Sequence, residues 1–124
     1  MADRRLTVAA ALAAAAVLAA GCGSTPPQAP GPQAHQLNQA LSTFSTACGH
    51  AAEVQEFVNS PRLMDGLNRL AASKVADVAR IYHQNPHWVF QGKTVGQLVQ
   101  MSVSYMTECG LHRAAARLRA ATSG

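Results

Sequence analysis

The side chains best suited to ligand chemistry lie between Tyr82 and Trp88, where two histidines flank a proline. His83 and His87 are four residues apart, a spacing that can place two imidazoles on one helix face for metal binding. Pro86 lies between them, and the residue before a proline disfavours the helical conformation. We therefore expect the histidines on either side of a helix end and predict no metal site. Tyr82, His83 and His87 remain candidate ligand-binding residues, because haem or another flat apolar ligand uses Tyr or His as axial ligands.

Two of the three cysteines, Cys48 and Cys109, fall on apolar faces of expected helices, and a glycine follows each of them. In an exported protein such a pair predicts a disulfide. A loop of about 60 residues closed in this way stabilises the fold by roughly 4 kcal/mol in the chain-entropy model. The alternative is a nucleophilic Cys48 activated by His50, which requires a free thiol.

Other catalytic patterns are missing from the sequence. It contains no HExxH, GxSxG or CxxC motif and no glycine-rich phosphate loop. The carboxylates beyond Cys22 form no acid–base pair, so we expect a protein that is not an enzyme. The formal net charge is +4, with a basic cluster at Arg113, Arg117 and Arg119. This charge is too weak and too scattered to predict nucleic-acid binding.

The N-terminus has the pattern of an export signal. Arg4 and Arg5 precede the apolar run Leu6–Ala20, which has 15 residues. As a helix the run would reach about 22 Å, short of the ~30 Å hydrocarbon core of a bilayer. A basic start, a short apolar stretch and small residues at its end predict that residues 1–21 are a cleaved signal peptide.

Leu18-Ala19-Ala20-Gly21-Cys22 resembles the lipobox of bacterial lipoproteins, with Ala19 at the position where leucine is commonest in that family. The resemblance implies cleavage before Cys22, a diacylglyceryl group on its thiol and further acylation with palmitate. The mature protein would then be anchored to the cell membrane on its extracytoplasmic side, because two or more acyl chains hold a protein stably. The alternative is ordinary signal-peptide cleavage, which leaves Cys22 as a free thiol.

A proline-rich segment follows the lipobox. Four prolines between Gly23 and Ala34 favour an extended polyproline II conformation at ~3.1 Å per residue. Residues 22–34 are therefore interpreted as the lipidated cysteine and a disordered linker that holds the domain some 30–40 Å from the bilayer.

Residues 35–124 have helical periodicity, and no strand pattern of useful length is present. We expect a helix over 35–58, with a kink or break at Gly49, and a second helix from Pro61 to Asn85. A short helical turn follows at 87–90. Thr94 and Gln97 form a capping-box pattern that begins a third helix, which ends at Gly110. The prediction is all-α: three main helices and a short C-terminal helix at 111–121, joined by one disulfide.

A second resemblance concerns this domain. The order Cys48, then Phe57-Val-Asn-Ser-Pro61, then Tyr82-His-Gln-Asn-Pro86, then Cys109 is similar to the small exported hemophore-related proteins of mycobacteria. The resemblance covers about residues 48–111 and implies a helical, two-cysteine domain that binds haem. The haem-binding Tyr and His of that family would fall near Phe57 and Ser60 here.

These observations lead to one main functional expectation and one alternative. The main expectation is a membrane-anchored lipoprotein whose helical domain binds an unknown protein or other component of the cell envelope. The alternative is a hemophore-like protein that binds haem or another small apolar ligand through Tyr82, His83 and His87.

Overall fold

The computed structural model describes residues 26–124 as one helical bundle with a small hairpin. The all-α prediction is confirmed. In chain order the elements are α1 (Gly31–Glu53), a π-helical segment (Val54–Val58), α2 (Pro61–Ala72), α3 (Val75–Gln84), β1 (Val89–Phe90), β2 (Lys93–Thr94), α4 (Val95–Glu108) and α5 (His112–Ala121).

Helix α1 begins at Gly31, four residues before its predicted start, because prolines are well tolerated in the first turn of a helix. The segment just before it is bound to the hairpin. The Ala29 N–H donates to the Val89 carbonyl and the Val89 N–H donates to the Pro27 carbonyl, each at 2.9 Å. The chain is therefore attached to the domain from Pro27 onward, and the prediction of a disordered linker is wrong for residues 27–34. Cys22 and the predicted signal peptide lie outside the described residues.

The first helix runs through Gly49 without the predicted break and ends in the π-helical segment. Asn59 then adopts a left-handed conformation with φ 52° and ψ 53°, which asparagine tolerates better than most residues. Ser60 is extended, as expected before a proline, and its hydroxyl accepts the Leu63 N–H at 3.3 Å. The predicted start of a helix at Pro61 is thus confirmed.

The predicted second helix is divided into α2 and α3 at Ser73 and Lys74. The Ser73 hydroxyl donates to the Leu70 carbonyl at 2.6 Å, a side-chain bond that competes with the helical backbone pattern. Together α2 and α3 are about as long as α1 and run back alongside it. Gln33 and Gln84 are hydrogen-bonded at 3.4 Å where this return ends.

The helical turn predicted at 87–90 is wrong, because this segment forms one strand of a β-hairpin. Gln91 and Gly92 form the turn with φ of 53° and 82°, and positive φ at both central residues is the geometry that joins twisted strands tightly. The predicted capping box is confirmed. The Thr94 hydroxyl accepts the Gln97 N–H at 3.1 Å, and the Gln97 side-chain oxygen accepts the Thr94 N–H at 2.9 Å.

The predicted disulfide is confirmed. Cys48 of α1 is bonded to Cys109 at the end of α4, with the two Cα atoms 5.4 Å apart. Gly110 follows with φ 96° and begins the reversal into α5, as its position after the helix predicts. The Ala114 N–H at the start of α5 donates to the side-chain oxygen of buried Asn68 at 3.0 Å.

All five α-helices contribute to one core. Burying a side chain of the size of leucine or phenylalanine stabilises a fold by about 1.5–3 kcal/mol, so a few such residues dominate the packing. The largest fully buried side chains are Leu37, Phe44, Ile81, Val95, Met106, Leu111 and Leu118.

The bundle has two distinct ends. We call one the hairpin end: it contains Pro27–Gly31, the hairpin, and the C-termini of α3 and α5. We call the other the disulfide end: it contains the Cys48–Cys109 bond, the π-helical segment, the first turn of α2 and Gly110. Since α1 has 23 residues, the two ends are about 34 Å apart at ~1.5 Å per residue.

Candidate functional site

A cavity of about 510 Å³ opens at the hairpin end, between the end of α3, the start of α4 and the end of α5. We call it the hairpin cleft. Its less polar walls are Tyr82, Pro86, Gly96 and Val99. Its polar lining consists of His87, Thr94, Gln97, Gln100, Arg119, Thr122 and Ser123. The volume is within the range typical of small-molecule sites.

The structure brings together two of the three predicted ligand residues. Tyr82 and His87 line the hairpin cleft, whereas His83 is not part of its lining. The Nε2 atom of His83 lies 2.8 Å from the Ala121 carbonyl, which ties the end of α3 to the end of α5. The two histidines lie on either side of the helix end, as the position of Pro86 predicted.

The chemistry of the cleft suits a small polar ligand better than haem. Seven of the eleven lining residues carry polar or charged side chains, and Tyr82 adds a hydroxyl. A haem site needs a flat apolar slot around the porphyrin and an axial ligand held at its centre. Tyr82 and His87 offer ligand atoms, but the surrounding walls do not provide the apolar slot.

Arg119 is the lining residue that sequence reasoning missed as a ligand contact. The sequence grouped it with Arg113 and Arg117, but residues two apart on a helix point to nearly opposite sides. Arg117 lines a separate groove against α2 with Arg69 and Arg113. The Arg113 side chain is paired with Asp65 in that groove. The two-residue spacing of Arg117 and Arg119 was the signal in the sequence that these side chains face different surfaces.

Cys48 is unavailable as a nucleophile in this structure. Its sulfur is bonded to Cys109, and the residue is only 3% exposed. The Nδ1 atom of the neighbouring His50 faces Glu53 at 3.4 Å on the surface of α1. The alternative of a Cys48–His50 catalytic pair is therefore inconsistent with the folded, oxidised domain.

The disulfide end carries an exposed apolar surface, which we define as Phe57, Val58 and Leu63. These side chains are 76%, 58% and 48% exposed, and the π-helical segment contains no buried residue. Val54 and Leu63 also line one shallow depression beside the first turns of α2. Large exposed apolar side chains grouped at one place are typical of contact surfaces for other molecules.

No family model matches this chain, and comparisons with curated proteins and with solved structures found no similar protein. Within residues 26–124, no helix has the length and apolar character needed to cross a bilayer. The same residues contain no cluster of three or more His, Cys, Asp or Glu side chains able to hold a metal ion. The two surfaces at the ends of the bundle are therefore the candidate functional sites of the described domain.

Proposed function

We propose that this chain is an exported lipoprotein, anchored through Cys22 to the extracytoplasmic side of a bacterial cell membrane. Its helical domain binds a protein or another component of the cell envelope. The proposal combines the lipobox resemblance of the N-terminus with the surface of the domain.

The disulfide supports export. Disulfides form and persist in oxidising compartments and are rare in the reducing cytosol. The Cys48–Cys109 bond joins residues separated by 61 positions, so it constrains most of the domain. A structural bond of this kind favours a domain that folds outside the cytoplasm.

The exposed apolar surface at the disulfide end is the observation that carries the binding role. Lipid on Cys22 would hold the hairpin end nearest the membrane, because the chain enters the bundle there. Phe57 would then lie about 34 Å further from the bilayer, at the other end of α1. A 76% exposed phenylalanine at that distance faces other envelope molecules rather than its own membrane.

Metabolic labelling with a palmitate analogue tests the anchor. The wild-type chain should incorporate the label and partition with membranes, and Cys22→Ala should lose both properties. A Cys48→Ala/Cys109→Ala variant is the matched control, since it removes thiols elsewhere and should keep the label. An unlabelled wild-type protein would contradict the anchoring proposal.

Site-specific photo-crosslinking in intact membranes tests the binding role. A photoreactive amino acid at Phe57 should yield one discrete cross-linked product. The same group at Gln39, an exposed position on α1, is the control and should not yield that product. A result in which both positions give the same products would contradict a dedicated contact surface.

The second candidate is a small-ligand protein, favoured by the presence of Tyr82 and His87 in one cleft. Haem is the ligand that the second resemblance implies. Titration with haemin should then shift the Soret band, and Tyr82→Phe and His87→Ala should remove the shift. A wild-type protein that gives no Soret shift is not a haem protein.

A further inference from the structure

We propose that the hairpin cleft binds a phosphate group. This inference deepens the second candidate function, since it names the ligand class of the same cleft, and it does not depend on the lipid anchor. It rests on the charge of the cleft, on the donors that Arg119, Gln97 and His87 offer and on its position in the bundle.

The capping box determines what Gln97 offers to the cleft. A backbone N–H can only donate, so the Thr94 N–H fixes the side-chain oxygen of Gln97 on its own side at 2.9 Å. The Gln97 amide nitrogen is left with two donor hydrogens. Thr94 is used similarly: its oxygen accepts the Gln97 N–H at 3.1 Å and its hydroxyl hydrogen stays available. The capping box thus uses the acceptor oxygens of Thr94 and Gln97 and leaves their side-chain donor hydrogens free.

The remaining polar side chains divide into two groups. The Thr122 and Ser123 hydroxyls donate to the Leu118 and Ala120 carbonyls and leave acceptor oxygens. Among the described residues, the side chains of Arg119, Gln100 and His87 make no hydrogen bond with another protein group, although all three line the cleft. The guanidinium of Arg119 has donors only, and it forms no ion pair within residues 26–124. All three side chains are exposed, so they can donate to a bound molecule without breaking a bond inside the fold. A ligand rich in acceptors suits such a site.

The charge of the cleft lining favours an anionic ligand. The lining contains one guanidinium, one imidazole and no carboxylate. The first backbone amides of α4 do not supply the site, because Val95 and Gly96 donate to the Trp88 and Pro86 carbonyls at 2.8 and 2.9 Å. Recognition would therefore come from side chains, with the Arg119 fork binding two oxygens of one group.

The spread of donors favours phosphate over carboxylate. A carboxylate is planar and offers two oxygens, which one arginine fork satisfies. The cleft adds donors from Gln97 on α4 and from His87 beyond α3, on walls other than that of Arg119. A tetrahedral phosphate presents additional oxygens toward such separate walls. At about 510 Å³ the cavity has room for a phosphate ester as well as for the free ion.

Two sources of the phosphate group are compatible with the position of the cleft. The cleft lies at the end of the bundle where the chain enters from the predicted anchor, so a lipid headgroup phosphate is one source. A small soluble phosphate ester is the other. Both present the same tetrahedral oxyanion to Arg119.

NMR titration of the full-length chain in neutral detergent micelles tests the site, with inorganic phosphate as the probe. Saturable shifts should occur at Gln97, Gln100 and Arg119, and acetate at equal ionic strength should not reproduce them. Arg119→Gln should weaken phosphate binding at least tenfold. Equal binding of acetate, or a wild-type chain that shows no saturable shift, would overturn the proposal.

Arg117→Gln is the matched control. It removes the same charge from the same helix, but it faces the groove formed with α2. Phosphate affinity should remain within twofold of the wild-type value. If both arginine variants weaken binding equally, the effect is general electrostatic attraction and the proposed site is wrong.

Nanodiscs separate the two sources. The full-length chain is inserted in nanodiscs of a galactolipid, which carries no phosphate, with or without phosphatidylglycerol. Shifts at Arg119 that require phosphatidylglycerol would identify the headgroup as the source. A response to inorganic phosphate without a response to phosphatidylglycerol would identify a soluble phosphate ester. Palmitate labelling tests the anchor independently, so its failure and the failure of this site are distinguishable.

Discussion

The two ends of the bundle are held together by different means. At the hairpin end, short-range hydrogen bonds connect the elements: the capping box, the turn at Gln91–Gly92 and the His83–Ala121 contact. At the disulfide end the π-helical segment buries no residue, and the covalent Cys48–Cys109 bond joins α1 to α4.

This difference connects stability with binding. Exposed apolar side chains such as Phe57 contribute little to the folded state of the isolated domain, so the disulfide end needs a covalent restraint. The hairpin end pairs its backbone groups through the hairpin, the segment Pro27–Ala29 and the start of α4, and side-chain donors line its cleft. Each end thus presents a surface whose groups are not used in folding: apolar at one end, polar and basic at the other.

The largest effect should come from removing the covalent restraint. Cys48→Ala combined with Cys109→Ala should lower the free energy of unfolding by about 4 kcal/mol, since the bond closes a loop spanning 61 positions. Equilibrium urea denaturation checks this value. A loss below about 1 kcal/mol would mean that noncovalent packing already holds the disulfide end.

Gly110→Ala should give the next largest loss, about 1–2 kcal/mol. The residue has φ 96°, where a side chain is strained, and an added Cβ would collide with the side chain of Gln55. Gly49→Ala is the opposite case, because its added Cβ meets nothing within 4 Å inside α1. That substitution should stabilise the domain by up to about 1 kcal/mol, as measured by thermal unfolding. Equal effects of the two substitutions would contradict this account.

The hairpin end should lose stability when the N-cap of α4 is removed. Thr94→Ala removes the acceptor of the Gln97 N–H and should cost about 1 kcal/mol. It should also remove the Thr94 hydroxyl from the cleft and weaken phosphate binding, although the backbone N–H of residue 94 still holds the Gln97 side-chain oxygen. Ser60→Ala removes the cap of α2 at the other end and should cost a similar free energy without changing phosphate binding. Denaturation and phosphate titration on both variants separate the two effects.

The smallest effect on stability should come from the exposed apolar surface. Phe57→Ser should change the free energy of unfolding by less than about 0.5 kcal/mol, since the side chain is 76% exposed. The same substitution should reduce binding to the envelope partner identified by cross-linking. A loss of several kcal/mol would show that Phe57 serves the fold rather than a partner.

Much of the fold was predictable because its signals are local. Proline and glycine mark helix boundaries for steric reasons near their own positions: Pro61 begins a helix, and Pro86 and Gly110 follow helix ends. The Thr94–Gln97 pattern specified both hydrogen bonds of the capping box. The errors occurred where a short segment was decided by distant partners. Residues 87–90 lacked enough length for a periodic pattern, and Val89 and Phe90 became a strand through pairing with 93–94 and contact with Pro27.

The candidate site was predictable only in part for the same reason. The density of Tyr82, His83 and His87 indicated the right region, but sequence spacing does not say which side chains share a cavity. His83 turned to the Ala121 carbonyl, and Arg119 joined from a helix more than thirty positions away. That grouping depends on how the ends of α3, α4 and α5 meet.

The sequence by itself determined the all-α class, the main helix ends and the cysteine pair, because helical periodicity, caps and helix stops act over a few residues. Tertiary structure alone decided which groups remain unused at each end. Helix α1 separates the Phe57 surface from the hairpin end by about 34 Å. Packing separated Arg119 from Arg117 and brought Arg119, Gln97 and His87 to one cleft. Such groupings depend on contacts between residues far apart in the chain, which no local pattern specifies.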